Sequence, residues 1–171
     1  MAGIMQPEDL LEKPDDLSIV EKTITTNLLG PIRLTSALLP SLRKQPRATI
    51  MNVSSGLAFV PLAMTPTYCA TKAAIHSYTQ SLRYQLKTTN IEVIELIPPY
   101  IQTTLMGDQQ ANDPNAMPLG NFIDEVMSIL KSQPDVQEVC VKKVYPLRFS
   151  AEHGQQKYEE FFEQFNDSMH K

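Results

Sequence analysis

Glycine is scarce in this chain of 171 residues. The six glycines, at 3, 30, 56, 107, 120 and 154, contain no G-x-G pair, which excludes a glycine-rich turn able to cradle a phosphate anywhere in the sequence. Cysteine is scarcer still: Cys69 and Cys140 cannot build a disulfide framework. The start Met1-Ala2-Gly3-Ile4-Met5-Gln6-Pro7 has neither the basic flank nor the apolar stretch of a signal peptide, so a reducing, cytoplasmic compartment is predicted. No apolar run approaches the roughly 18 residues that a membrane span needs. Positive charge is thin as well. Fifteen basic residues against 19 acidic ones leave a net charge of −4, which argues against binding to nucleic acid or an anionic membrane. The triplets Asn52-Val53-Ser54 and Asn166-Asp167-Ser168 match the glycosylation acceptor, but without a secretion signal both are read as chance.

What is present is ordinary for a globular protein: 42% hydrophobic and 20% charged residues in a chain of single-domain size. After a proline-containing lead, with Asp16 or Ser18 as the expected cap, apolar residues recur at helical spacing from Val20 through Ile24, Leu28 and Leu38 to Leu42. Gly30-Pro31 interrupts that helix. Proline lacks the N–H that the Asn27 carbonyl would accept in a regular helix, so a kink with a free acceptor is expected there. Ala48 to Ser54 is apolar and β-branched on both parities, as in a strand buried on both faces. Thr65-Pro66 starts a helix that runs to about Asn90, and Ile91 to Ile97 reads as a second strand stopped by Pro98-Pro99. Strand, helix and strand at this spacing predict a βαβ unit. Residues 104–118 read as a mobile loop, followed by a helix around 122–130, a strand over Val136 to Tyr145 and an amphipathic helix carrying Tyr158, Phe161, Phe162 and Phe165. The alternation predicts a single α/β domain over residues 1–171.

Tyr68-Cys69-Ala70-Thr71-Lys72 is the stretch richest in chemistry. Residues four apart share a helix face, so Lys72 sits close enough to Tyr68 to favour phenolate and draw the phenol pKa down toward a working range. Ser55, thirteen residues earlier, lies at the end of a strand, where open α/β sheets place their sites. A hydroxyl, a phenol and an ammonium in that order can move a proton on and off a carbonyl oxygen. His76, His153 and His170 share no ligand spacing with each other or with cysteine, so no metal site is predicted. Cys69 reads as a small packed residue, and the tail aromatics as core.

With these residues in view, the sequence resembles the classical short-chain dehydrogenase/reductase family. The matching residues are Thr26-Asn27-Leu28-Leu29-Gly30, Ile50-Met51-Asn52-Val53-Ser54-Ser55-Gly56, Tyr68-Cys69-Ala70-Thr71-Lys72 and Pro98-Pro99-Tyr100-Ile101-Gln102-Thr103, in family order and spacing. A fainter likeness to the DltE-like subgroup lies in the C-terminal region. The resemblance implies the C-terminal portion of a Rossmann-type doubly wound parallel sheet, lacking the N-terminal glycine-rich βαβ region and starting after the fourth strand. It also implies an oxidoreductase that uses NAD or NADP on a small alcohol or carbonyl, assembled as a homo-dimer or tetramer. By the same resemblance Ser55 polarises the carbonyl, Tyr68 is the acid/base, Lys72 supports Tyr68 and binds the nicotinamide ribose, and Asn27 holds a relay water. Pro98, Ile101 and Thr103 match positions that contact the nicotinamide.

Pro99 departs from the family, which has glycine there. Without the glycine-rich turn the dinucleotide loses its pyrophosphate site, so cofactor binding by this chain is expected to be weak or lost. The alternative to an enzyme is a catalytically silent interaction module that pairs through the helices around Leu38 and Leu82.

Overall fold

The computed structural model describes residues 3–12 and 17–169. Met1, Ala2 and the proposed cap Asp16 lie outside the described residues. Helix α1 spans Ser18–Ile24 and α2 spans Gly30–Leu42, and the five residues Thr25–Leu29 between them form a π-helical turn. Pro31 is the cause. Its missing N–H breaks the regular ladder, and the chain widens so that Gly30 N bonds the Thr25 carbonyl five residues back.

Strands β1 (Ala48–Val53), β2 (Ile91–Ile97) and β3 (Glu138–Cys140) form a parallel sheet in the order β1-β2-β3. Helix α3 (Pro66–Leu86) connects β1 to β2, which is the expected strand–helix–strand unit. Pro66 begins α3 where its absent N–H costs nothing. Leu82 and Leu86 on α3 pack with Ala48, Ile91 and Val93 on one sheet face. On the other face α5 (Leu119–Ser132) packs Phe122 and Val126 against Ile94 and Val139. This opposite-face arrangement follows from strand alternation: 91, 93 and 95 point toward α3, while 94 points toward α5.

Several expectations change. Strand β1 is not buried on both faces, because it lies at the sheet edge and leaves Thr49 and Met51 exposed, Met51 by 39%. The third strand is three residues long rather than ten, since the chain turns at Lys142–Val144 into the short helix α6 (Tyr145–Arg148), where Pro146 cannot extend a ladder. The segment 104–118 is not without structure. It holds α4 (Asp108–Asn112) and returns alongside Ile101 through an isolated parallel bridge to Met117. Helix α1 begins after Leu17 with no side-chain cap from that residue. Leu82 belongs to the core, whereas Leu34 and Leu38 on α2 are 61% and 46% exposed.

The last helix, α7 (Gln155–Met169), is anchored by one side chain. Asn166 is buried, accepts from Ala63 N at 2.6 Å, and donates to the Pro61 carbonyl at 3.1 Å. Asn52 is buried likewise and donates to Thr79 Oγ1 at 3.0 Å. Both glycosylation-type triplets therefore do structural work in the folded chain. No helix among the described residues is long and apolar enough to cross a membrane.

Candidate active site

The C-terminal end of β1 delivers Ser55 in an extended conformation, after which the chain folds at once into the 3-10 turn Gly56–Ala58. Two bonds fix this corner. Leu57 N donates to Ser55 Oγ at 3.1 Å, and Gly56 N donates to the Pro98 carbonyl at 3.0 Å, tying the end of β1 to the end of β2. Gly56 is required by space rather than by backbone angle, because a Cβ there would come within 2.7 Å of Leu147 and 2.8 Å of Val144.

The first turn of α3 carries Tyr68, and its second carries Lys72. The Ser55 hydroxyl faces the buried Tyr68 phenol on the wall of one cavity and favours its ionised form. Lys72 Nζ lies 5.5 Å from the centre of the Tyr68 ring and donates to the Val53 carbonyl at 2.9 Å. The three side chains singled out from spacing therefore converge on one corner. Their electrostatics differ from the expected balance. Burial pushes Tyr68 up to about 12, against the downward pull of Ser55, so Lys72 does not make this phenol acidic. Burial also lowers Lys72 to about 8. At neutral pH Tyr68 is thus a protonated acid. Cys69 is buried, its thiol raised chiefly by that burial, which agrees with a packed rather than a reactive residue.

Asn27 sits in the π turn and uses its side chain locally. It accepts from Ile4 N at 2.9 Å and donates to the Ile4 carbonyl at 2.7 Å, with a longer contact of 3.5 Å to Thr71 Oγ1 on α3. The amide clamps the N-terminal segment onto the helix that carries Tyr68 and Lys72. A relay water would have to be held by the main-chain carbonyl.

Beyond β2, Pro98 and Pro99 border the same cavity, whereas Ile101 is buried in the core against Phe122 and Val126 of α5, and neither it nor Thr103 lines the cavity. Gln110, which spacing did not reveal, organises this segment. Its buried amide donates to the Ile101 carbonyl at 2.8 Å and to Thr103 Oγ1 at 3.2 Å, and accepts from Met106 N at 3.0 Å. A glutamine in a polar loop carries no sequence signal of burial.

A second buried group also escaped the sequence reading. Glu95 on β2 has no exposure, accepts a hydrogen bond from Ser54, the neighbour of Ser55, and lies 2.8 Å from His76 Nδ1, one turn beyond Lys72. The Phe59 ring packs edge-on against His76, and Arg148 lies over Phe59 while bonding Glu138 at 2.7 Å. His76, Glu95 and Glu138 bring ligand-type atoms within 4.8 Å of one another, and Arg148 already pairs with Glu138. The network joins β1, α3, β2 and α6 directly behind the corner that holds Ser55.

The cavity in front of that corner has a volume of about 420 Å³. Ser55 and Tyr68 lie in its wall with Met5, Leu62 and Leu105, and α7 borders one side with Phe165 and, at the exposed rim, Ser168 and Met169. Phe165 thus faces the site, not only the core expected of the tail aromatics.

A three-stranded parallel sheet with helices on both faces, and chemistry gathered at the strand ends, is the C-terminal portion of a Rossmann-type fold. Residues 1–114 match the short chain dehydrogenase family model, and the chain belongs to that family. It is 37% identical over 168 residues to an uncharacterised oxidoreductase, DltE, of Bacillus subtilis, a match that covers 96% of this chain and 65% of the relative. Estradiol 17-beta-dehydrogenase 2 of Mus musculus is 36% identical over 97 residues, 57% of this chain and 25% of that protein. Among solved structures, a short chain dehydrogenase from Burkholderia cenocepacia in complex with NADP superposes with a TM-score of 0.78 at 22% identity, covering 94% of this chain and 65% of that one. The chain thus spans about 65% of the length of DltE.

Proposed function

We propose that this chain carries the proton-transfer and substrate-holding part of a nicotinamide-dependent oxidoreductase acting on an alcohol or carbonyl, with Ser55, Tyr68 and Lys72 as its reacting groups and Asn27 as its relay residue. The observation that carries this reading is the placement of Ser55 and Tyr68 together on the wall of one largely apolar cavity. A carbonyl oxygen reaching that corner meets a hydroxyl donor from Ser55 and a protonated phenol from Tyr68. Tyr68, protonated at neutral pH, is placed to give its proton to an alkoxide as it forms. Lys72 holds positive charge near the ring and stabilises the phenolate left behind. The water on the Asn27 carbonyl would return the proton.

The chain's residues fit the nicotinamide end of NAD or NADP. The Ile101 carbonyl and Thr103 hydroxyl accept from one primary amide, that of Gln110, which a nicotinamide carboxamide would have to replace. Pro98, Ile101 and Thr103 would hold the ring, and Tyr68 and Lys72 the ribose. When bound, the nicotinamide supplies or takes the hydride. The relatives whose complexes contain NADP and NADPH support that cofactor class.

Tyr68→Phe tests the reading. Turnover of a ketone with NADPH or NADH should fall at least about 100-fold. Undiminished turnover in that variant overturns the role given to Tyr68. Exposed Leu34 and Leu38 on α2, together with the open edge of β1, favour a second reading as a silent pairing module. A chain that self-associates in sedimentation and binds neither nucleotide would support that module over the enzyme.

A further inference from the structure

We infer that the cavity selects a neutral carbonyl compound with an apolar body, and that α7, latched by Asn166, is the wall that fits itself to that body. The inference rests on the proposed oxidoreductase reading only in naming the reacting group a carbonyl. Methionine lines the cavity at four positions, Met5, Met64, Met106 and Met169, beside Leu105 and Phe165. Thioether side chains are apolar, unbranched and polarizable, so they mould to an apolar shape while offering no directed hydrogen bond. The volume of about 420 Å³ lies within the range of small-molecule sites.

Charge argues the same way. Among the described residues, Asp113 is the one charged side chain of the lining, and the Asn115 N–H that it accepts keeps its carboxyl below the usual carboxylate range. A substrate carboxylate or phosphate entering here would give up its hydration among methionine and leucine and meet a like charge. Ser55 and Tyr68 supply the polar anchor for the carbonyl, and the other polar side chains of the lining, Tyr100, Gln109, Gln110 and Ser168, are uncharged, so the body of the substrate meets no cation that would hold an anionic group.

The wall formed by α7 is held from outside the cavity. Asn166 ties it to Pro61 and Ala63, while its neighbour Phe165 packs inward with Leu62, Met64 and Tyr68. This buried amide and the packing of Phe165 together set how far Phe165 and Met169 reach into the site.

Methyl-labelled methionine NMR of the full chain reads this directly. A nine-carbon methyl ketone should shift the methyl signals of Met5, Met64, Met106 and Met169 and leave those of the exposed Met51 and Met127 in place. The keto acid of the same chain length should bind at least about tenfold more weakly. Phe165→Ala should weaken the ketone severalfold, and Asn166→Ala should do the same while broadening the Met169 signal. Equal affinity for ketone and keto acid, or shifts confined to Met51 and Met127, overturns the inference. Unchanged ketone affinity in the folded Phe165→Ala chain overturns the part assigned to α7. Tyr68→Phe should keep the ketone-induced shifts, so a failure of the proposed reaction and a failure of this inference give different results.

Discussion

Replacing Lys72 with methionine examines the site's electrostatics through stability rather than turnover. Burial lowers Lys72 from 10.5 to about 8, so near neutral pH the folded chain holds a charged ammonium less favourably than the unfolded chain does. Between about 8 and 10.5 the unfolded chain keeps this proton while the folded chain sheds it. The unfolded state then binds more protons, so the Lys72 contribution makes stability rise with pH across that window, and the penalty is present in full below it. At roughly 1.4 kcal/mol per pH unit, the interval from about 8 to 10.5 corresponds to on the order of 3 kcal/mol. The hydrogen bond to the Val53 carbonyl, lost in the variant, offsets about 1 kcal/mol of this. Lys72→Met should therefore be more stable than the parent by about 2 kcal/mol near neutral pH, with the advantage gone toward the upper end of the window. Tyr68 and Cys140, both pushed up to about 12, act in the opposite sense, because the folded chain retains protons that the unfolded chain releases at lower pH. Their effect is common to parent and variant and cancels in the difference. Urea unfolding of both chains at three pH values spanning the window measures it. A variant no more stable near neutral pH, or a difference that does not change with pH, would refute the claim that the fold holds this ammonium against its burial.

Gly56→Ala should destabilise the chain by about 1–3 kcal/mol, because the new methyl meets the rigid, fully buried Val144 as well as Leu147; a thermal melt within a degree of the parent would argue against that crowding. Glu95→Ala strips the Ser54 hydroxyl and His76 of their shared partner and should cost about 3 kcal/mol or more in denaturant unfolding, whereas a near-neutral effect would mean the network is solvated. Restoring the hydrogen-bonding shape with Glu95→Gln should recover part of that loss.

Local pattern made much of the molecule legible. Proline placed the start of α3 and the break after Asn27, and Pro98-Pro99 stopped β2, because a missing N–H acts wherever the proline stands. Helical spacing joined Tyr68 to Lys72, and the strand end placed Ser55 opposite them. The reach of β1's burial was misread because an apolar strand looks the same at an edge as at a centre. The length of β3 was overestimated because pairing ends where a partner ends, and no strand carries that information about another.

The site's supporting residues were illegible for a related reason. Gln110, Glu95 and Asn166 are polar side chains that local pattern assigns to solvent, and each matters through partners in distant segments: Ile101 and Thr103, Ser54 and His76, Pro61 and Ala63. The acidity of Tyr68 turned on the same distinction. Its nearness to Lys72 is a property of one helix, but its burial is a sum over every element packed around it, and the second outweighs the first. The sequence by itself determined the family, the βαβ unit and the candidates for the reacting groups, since these depend on backbone propensity and short-range spacing. Only the tertiary structure decided the protonation state of Tyr68, the apolar cavity and its α7 wall, because desolvation and enclosure exist only once distant segments exclude water together.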